Sequence, residues 1–195
     1  MRSSVLVVLL VLVAGRSPCI QDSATGYLSQ DWPGAKRGLV FRFASDVPVY
    51  IRRVVTEAAR EWNSLGAGWT LREQRDSAPF DILVKYDRHL EGGRFEGLSG
   101  DDDVITQATI TMGEIGLARL PTALHEFGHA FRLGHEPECA YRTTKECLED
   151  WNSPCRRSPD VMAAHLLFPG IGLSSRDRER ARISAGLGPE SAASR

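Results

Sequence analysis

From Gly38 to Ala44 the chain alternates, with Leu39, Phe41 and Phe43 on one side and Val40 and Arg42 on the other, the period of a half-buried strand. The period then becomes helical. Ile51, Val55, Ala58, Trp62 and Leu65 fall on one stripe, with Asp46 as the expected N-cap, Pro48 in the first turn and Gly66 closing the run. Trp69 to Arg72 and Asp81 to Tyr86 predict two further strands, the second with Ile82, Val84 and Tyr86 against Leu83 and Lys85. Val104 to Met112, rich in Ile and Thr, predicts another, reached through Gly97, Gly100 and the acidic run Asp101, Asp102 and Asp103. Leu120 to Leu133 predicts a helix, with Pro121 tolerated in its first turn and Gly134 at its far end. A last helix is expected after Ser174 or Ser175, running to about Ala185. Strands and helices in this order make the expected class α+β.

Outside that span the periodicity stops. Residues 1–15 combine Arg2, an unbroken apolar run from Val5 to Val13 and the small-residue exit Val13-Ala14-Gly15, the pattern of a signal peptide. A buried strand and a retained anchor are the competing readings, but the run is shorter than the ~20 residues a spanning helix needs. The expectation is a secreted chain, extracellular or periplasmic, without a membrane span after cleavage. Arg16-Ser17-Pro18 is a poor approach to a lipidated cysteine, so lipidation of Cys19 is not expected. Residues 16–37, rich in Ser, Gly, Pro and Gln, predict a linker or extended arm; 189–195 predict a disordered tail, and 38–188 the folded domain.

At ~150 residues per domain, 195 residues amount to about one. Lys plus Arg number 24 and Asp plus Glu 25, a net charge of −1 that gives no sequence-independent grip on a phosphate backbone, so nucleic acid is not an expected partner. With 42% hydrophobic and 25% charged residues the composition is that of a compact globular domain. Export would expose Cys19, Cys139, Cys147 and Cys155 to oxidising conditions, where four cysteines allow three pairings. Three lie between Glu136 and Asp160, which suggests a local staple across a polar loop. No C-x-x-C is present, so neither a redox centre nor an all-cysteine zinc ribbon is supported.

The candidate chemistry is concentrated in His125-Glu126-Phe127-Gly128-His129-Ala130-Phe131-Arg132-Leu133-Gly134-His135. On a helix, His125 and His129 stack one turn apart on a single face, where two imidazoles can reach one metal ion. Glu126 sits beside the first ligand, placed to take a proton from water without itself being a ligand. The chain must then turn for His135 to reach the same ion, and Gly134 is a candidate for that turn. Chance odds of H-E-x-x-H in such a chain are on the order of 1 in 100, and on the order of 1 in 10,000 with the third His. Three His ligands leave a fourth position open for water, as catalytic zinc sites do.

On these residues the chain resembles the metzincin metalloproteases, whose motif is H-E-x-x-H-x-x-G-x-x-H followed by a methionine turn, and within them the bacterial matrixin-like secreted proteases. The resemblance covers roughly Gly38 to Gly188. It implies a zincin catalytic domain: a mixed twisted sheet with a long first helix, an active-site helix, a Met-turn and a C-terminal helix introduced by Leu173-Ser174-Ser175 with Asp177. It further implies His125, His129 and His135 as ligands of one catalytic Zn2+, Glu126 as general base, and Met162 within Ser158-Pro159-Asp160-Val161-Met162 as the turn beneath the metal; an ordinary core methionine is the competing reading of Met162. Three features depart from the pattern. Arg132 occupies the family's glycine position, where a left-handed backbone costs a non-Gly residue on the order of 1 kcal/mol. Glu136 follows the third His as in the astacin branch, yet Met162 is followed by Ala163, Ala164 and His165. Met162 also stands 27 positions beyond His135, with the cysteine-bearing segment between.

The activity implied is hydrolysis of peptide bonds in a protein or peptide substrate, by a chain expected to act as a monomer. The peptide is expected along an edge strand around Phe95 to Gly100. His165, Leu166, Leu167 and Phe168 either wall a specificity pocket or pack in the core. Asp101 to Asp103 either hold a structural Ca2+ or form a solvated turn; the run lacks a calcium-loop spacing. Cys19 is open to a disulfide, a free thiol or a latency role as fourth zinc ligand, although Ser17-Pro18 and Ile20-Gln21 do not match the matrixin latency motif. Two alternative functions remain: a catalytically impaired zinc-binding homologue that recognises peptides or proteins, and a hydrolase of a non-peptide amide or ester.

Overall fold

A computed structural model of the chain describes residues 21–22, 27–28, 30–75, 77–99, 104–115, 119–135, 160–162 and 172–188. The expected signal peptide, tail, calcium run, Glu136, His165 to Phe168 and all four cysteines lie outside the described residues. Among the described residues no helix is long and apolar enough to cross a membrane.

The class is α+β. Two short strands, β1 (Gln21–Asp22) and β2 (Tyr27–Leu28), pair antiparallel ahead of the main sheet. That sheet contains β3 (Gly38–Phe43), β4 (Thr70–Glu73), β5 (Ile82–Glu91), β6 (Gly93–Ser99) and β7 (Ile105–Ile115) in the order β4-β3-β5-β7-β6. Neighbours are parallel except β6, which runs antiparallel to β7 with Phe95 opposite Ile110, and so forms one edge of the sheet. Gly92, at φ 75, makes the tight turn from β5 into β6.

Helix α1 (Val49–Ser64) buries Ile51, Val55, Ala58 and Trp62, with Leu65 half-buried beyond its end. Its N-cap is Pro48, in place of the expected Asp46. The reason lies in Arg52, whose guanidinium donates to the carbonyls of Val47 and Ala44 at 2.9 and 2.8 Å and closes the entry turn without a carboxylate cap. Helix α2 (Arg119–Ala130) packs against α1: the Trp62 indole N–H donates to the Leu124 carbonyl at 2.9 Å, and Trp62 meets Phe131 edge-on at 4.9 Å. Such aromatic pairs add about 0.5–1.5 kcal/mol to their area burial.

Helix α3 (Ser175–Ser184) opens on a capping box, in which the Ser174 hydroxyl accepts from the Asp177 N–H and Asp177 accepts from the Ser174 N–H. It returns to the core through Trp69, which stacks on Phe131 at 5.0 Å and donates to the Ala181 carbonyl at 3.1 Å. The segment read as an arm also enters this core. Trp32 is 2% exposed and Leu28 is buried. Gln30 donates to Ser99 at the end of β6, and the Asp31 carbonyl accepts from Ile105 N–H at the start of β7.

Candidate metal centre

Helix α2 carries His125, Glu126 and His129, all buried because the helix lies between α1 and the sheet. One helical turn sets the His125 and His129 rings 4.6 Å apart, and their Nε2 atoms approach to 3.0 Å. His135 returns to place its Nε2 3.1 Å from that of His125. Among the described residues these three form a group that could hold a metal ion, with ligand atoms within 4.8 Å of one another.

The rings are oriented by the backbone. His125 Nδ1 donates to the Val161 carbonyl at 2.8 Å, and His129 Nδ1 donates to the Leu133 carbonyl at 2.8 Å. A carbonyl only accepts, so in both rings the proton resides on Nδ1 and the Nε2 lone pair faces the common centre. Burial first, then the neighbouring imidazoles of His125 and His135, hold His129 well below its ordinary pKa, so it stays neutral. Facing lone pairs about 3 Å apart repel one another unless a cation joins them. Three converging imidazoles are a donor set suited to zinc and to other divalent transition metals.

The turn that delivers His135 differs from the expectation that the helix would run to Leu133 and bend at Gly134. Helix α2 ends at Ala130, and Gly134 is not among the left-handed residues; Arg132 makes the bend at φ 67. Leu133 N–H reaches back to the Gly128 carbonyl at 3.0 Å and Arg132 N–H to the His129 carbonyl at 2.8 Å, the paired bonds of a Schellman end with arginine in the glycine position. Of the carbonyls that follow, that of Leu133 accepts from His129, and the other four are satisfied from outside the helix. Trp32 Nε1 donates to Ala130 at 2.8 Å, Ser184 Oγ to Phe131, Leu28 N–H to Arg132 at 2.7 Å, and Arg180 to Gly134 at 2.8 Å.

Glu126 points from α2 toward the edge strand and accepts a hydrogen bond from Phe95 N–H. Burial pushes its carboxyl up to about 8, with that hydrogen bond opposing the rise. A β-carbon at Gly93 would come within 2.7 Å of Glu126 Oε1 and of Thr122 Cγ2, so the edge strand can approach the carboxylate only as glycine.

Met162 is fully buried and its Sδ packs on Gly128, where a β-carbon would overlap it. The adjacent Val161 N–H donates to Asp177 Oδ2 at 3.0 Å, which ties the turn to α3. Burial raises the pKa of Asp177, opposed by the hydrogen bonds from Ser174 and Val161.

The structure thus brings His125, His129, His135, Glu126 and Met162 into one site. The residues that orient them were missed by sequence reasoning: the carbonyls of Val161 and Leu133, Gly93, Gly128, Arg180 and Trp32. Only Gly92-Gly93, a doublet between polar residues, carried a readable signal. No family model matches the chain, and no curated protein matches it either.

Proposed function

We propose that the chain is a secreted zinc-dependent endopeptidase of the metzincin type, matrixin-like, with His125, His129 and His135 holding zinc and Glu126 serving as general base. The observation that carries this reading is the convergence of three Nε2 atoms, two of them fixed in orientation by carbonyls, beside a buried carboxylate on the same helix. Zinc at such a donor set supplies Lewis acidity, polarising a carbonyl and acidifying water toward a pKa of ~7. Glu126 accepts the proton that water gives up and returns it to the leaving amine, base first and acid second. Its apolar surroundings support that reversal by bringing the carboxyl pKa close to neutrality.

The edge position of β6 supports a peptide as the substrate, because an extended chain laid along it meets backbone groups that lack a neighbouring strand among the described residues. Phe95 N–H belongs to that edge and is held by Glu126. An incoming peptide therefore meets the general base and the strand at the same point.

The test is to purify the exported chain under oxidising conditions, measure zinc per chain, and assay cleavage of unfolded casein with and without a chelator. About one zinc is expected, with cleavage that the chelator abolishes. Glu126→Gln is expected to keep zinc and lose most turnover; an active Gln variant removes Glu126 from the mechanism. One zinc without any cleavage favours the impaired zinc-binding homologue, and folded protein without zinc rejects the metal site.

A further inference from the structure

We propose that Asp31 and Arg132 are positioning residues for the third imidazole: the Asp31 carboxylate holds the left-handed Arg132 in place, and this fixes the turn that presents His135 to the metal. The inference rests on the metal reading above and concerns how this chain completes the site.

Arg132 is the one non-glycine residue with positive φ among the described residues, and it lies three positions before His135. Its guanidinium is held at two points on the arm, Nε donating to the Gln30 carbonyl at 3.0 Å and a terminal nitrogen to Asp31 Oδ2 at 3.0 Å. Its carbonyl accepts from Leu28 N–H at 2.7 Å, so side chain and backbone of one residue are bound to the same segment, 28–31. Asp31 is itself anchored. Its Oδ1 accepts from Trp32 N–H at 2.8 Å and from Arg37 at 3.1 Å, and its backbone carbonyl accepts from Ile105 in the sheet.

A glycine at 132 would reach the same φ without strain, yet it would leave the turn with no side-chain anchor and a wider range of conformations. Arginine accepts the strain and gains a planar fork matched to a carboxylate and a carbonyl. The two possibilities predict opposite signs. If the turn were self-sufficient, Arg132→Gly would relieve strain and tighten metal binding. If the arm positions His135, the same change loosens it.

The experiment uses the full exported chain and reads the zinc dissociation constant by competition with a chelator, alongside the visible spectrum of the cobalt-substituted protein. Arg132→Gly and Asp31→Asn are each expected to raise the dissociation constant about 10-fold, the lower end of what outer-shell changes cost. The double variant is expected to cost little more than Arg132→Gly alone, because the two residues form one link. The cobalt bands should weaken or shift in the same variants, which a purely stabilising contact would not cause. Lys36→Ala, which removes an ion pair of the same segment with Asp81 and touches neither Asp31 nor Arg132, should leave zinc affinity and spectrum unchanged. Asp31→Asn keeps an oxygen for Trp32 N–H, so it reads the same link even if Arg132→Gly fails to fold. Wild-type binding with both variants within about twofold of it overturns the positioning role while leaving the metal site intact. A wild-type chain that binds no zinc overturns both.

Discussion

His125 donates from Nδ1 to the carbonyl of Val161 at 2.8 Å, so a ring on α2 whose Nε2 faces the other two imidazoles is oriented by a turn 36 positions away in the chain. That turn reaches the helix because Gly128 leaves room for Met162. Gly→Ala inside a helix ordinarily stabilises by about 1 kcal/mol. Here the added carbon meets a fully buried Met162, and overpacking costs about 1–3 kcal/mol, so the net sign reverses. Gly128→Ala is expected to lower stability by about 1 kcal/mol in urea unfolding and to weaken zinc binding as the Val161 carbonyl is pushed off His125. A Gly128→Ala protein more stable than wild type would show that Met162 does not fill that space.

Gly93 approaches the Glu126 carboxylate from the edge strand, and no β-carbon fits between them. Gly93→Ala therefore displaces the carboxylate while leaving the three imidazoles in place. Turnover is expected to fall about 100-fold, the cost of misplacing a catalytic group by about 1 Å, with zinc content unchanged. Equal kcat in the variant would mean that the carboxylate moves freely enough to recover its position.

Much of this frame is legible in the sequence because several elements carry their own period. β3, β7 and the buried stripe of α1 follow directly from alternation or from helical spacing, since one face of each meets the core. The His and Glu spacing on α2 is legible for the same reason. What could not be read depends on distant contacts. Arg132 adopts a backbone that local preference assigns to glycine, because Gln30 and Asp31 hold its side chain. The outer half of β5, with Asp87, Arg88 and His89, is polar and exposed and has no apolar alternation to announce it. Residues 28–32 lack any period because they contribute single anchors, Leu28 and Trp32, to a core built by other elements.

Trp32 links that arm to the end of α2, its indole N–H donating to the Ala130 carbonyl at 2.8 Å in a fully buried setting. Trp32→Phe keeps most of the apolar surface but orphans a buried carbonyl, at a cost of about 1–3 kcal/mol. Trp32→Ala adds a cavity and is expected to cost about 3–5 kcal/mol. Chemical denaturation of the two variants separates these contributions. A chain shortened to begin at Gly38 is expected to lose at least as much stability as Trp32→Ala; stability equal to wild type would show that the arm is dispensable.

Glu114, on β7, joins three elements at the surface: its carboxylate accepts from the Tyr50 hydroxyl, from Tyr86 at 2.9 Å and from Arg119 at 2.9 Å. The hydrogen bond from Tyr50, then that from Tyr86, lowers its pKa below the ordinary 4.5, and the same carboxylate pushes the Tyr50 hydroxyl up. A lowered folded-state pKa means that the unfolded chain binds the proton first as acid is added. The stabilisation is therefore complete above about pH 4.5 and is lost as pH falls through the lower folded-state value. Glu114→Gln removes this titration while nearly preserving shape. The Tm difference between wild type and Glu114→Gln is expected to favour wild type near neutrality and to shrink toward zero once the pH falls below the lowered folded-state value. High salt should reduce the part owed to Arg119 and spare the tyrosine hydrogen bonds. A difference that holds constant from neutral pH into acid would show that the carboxylate contributes no charge-dependent stability.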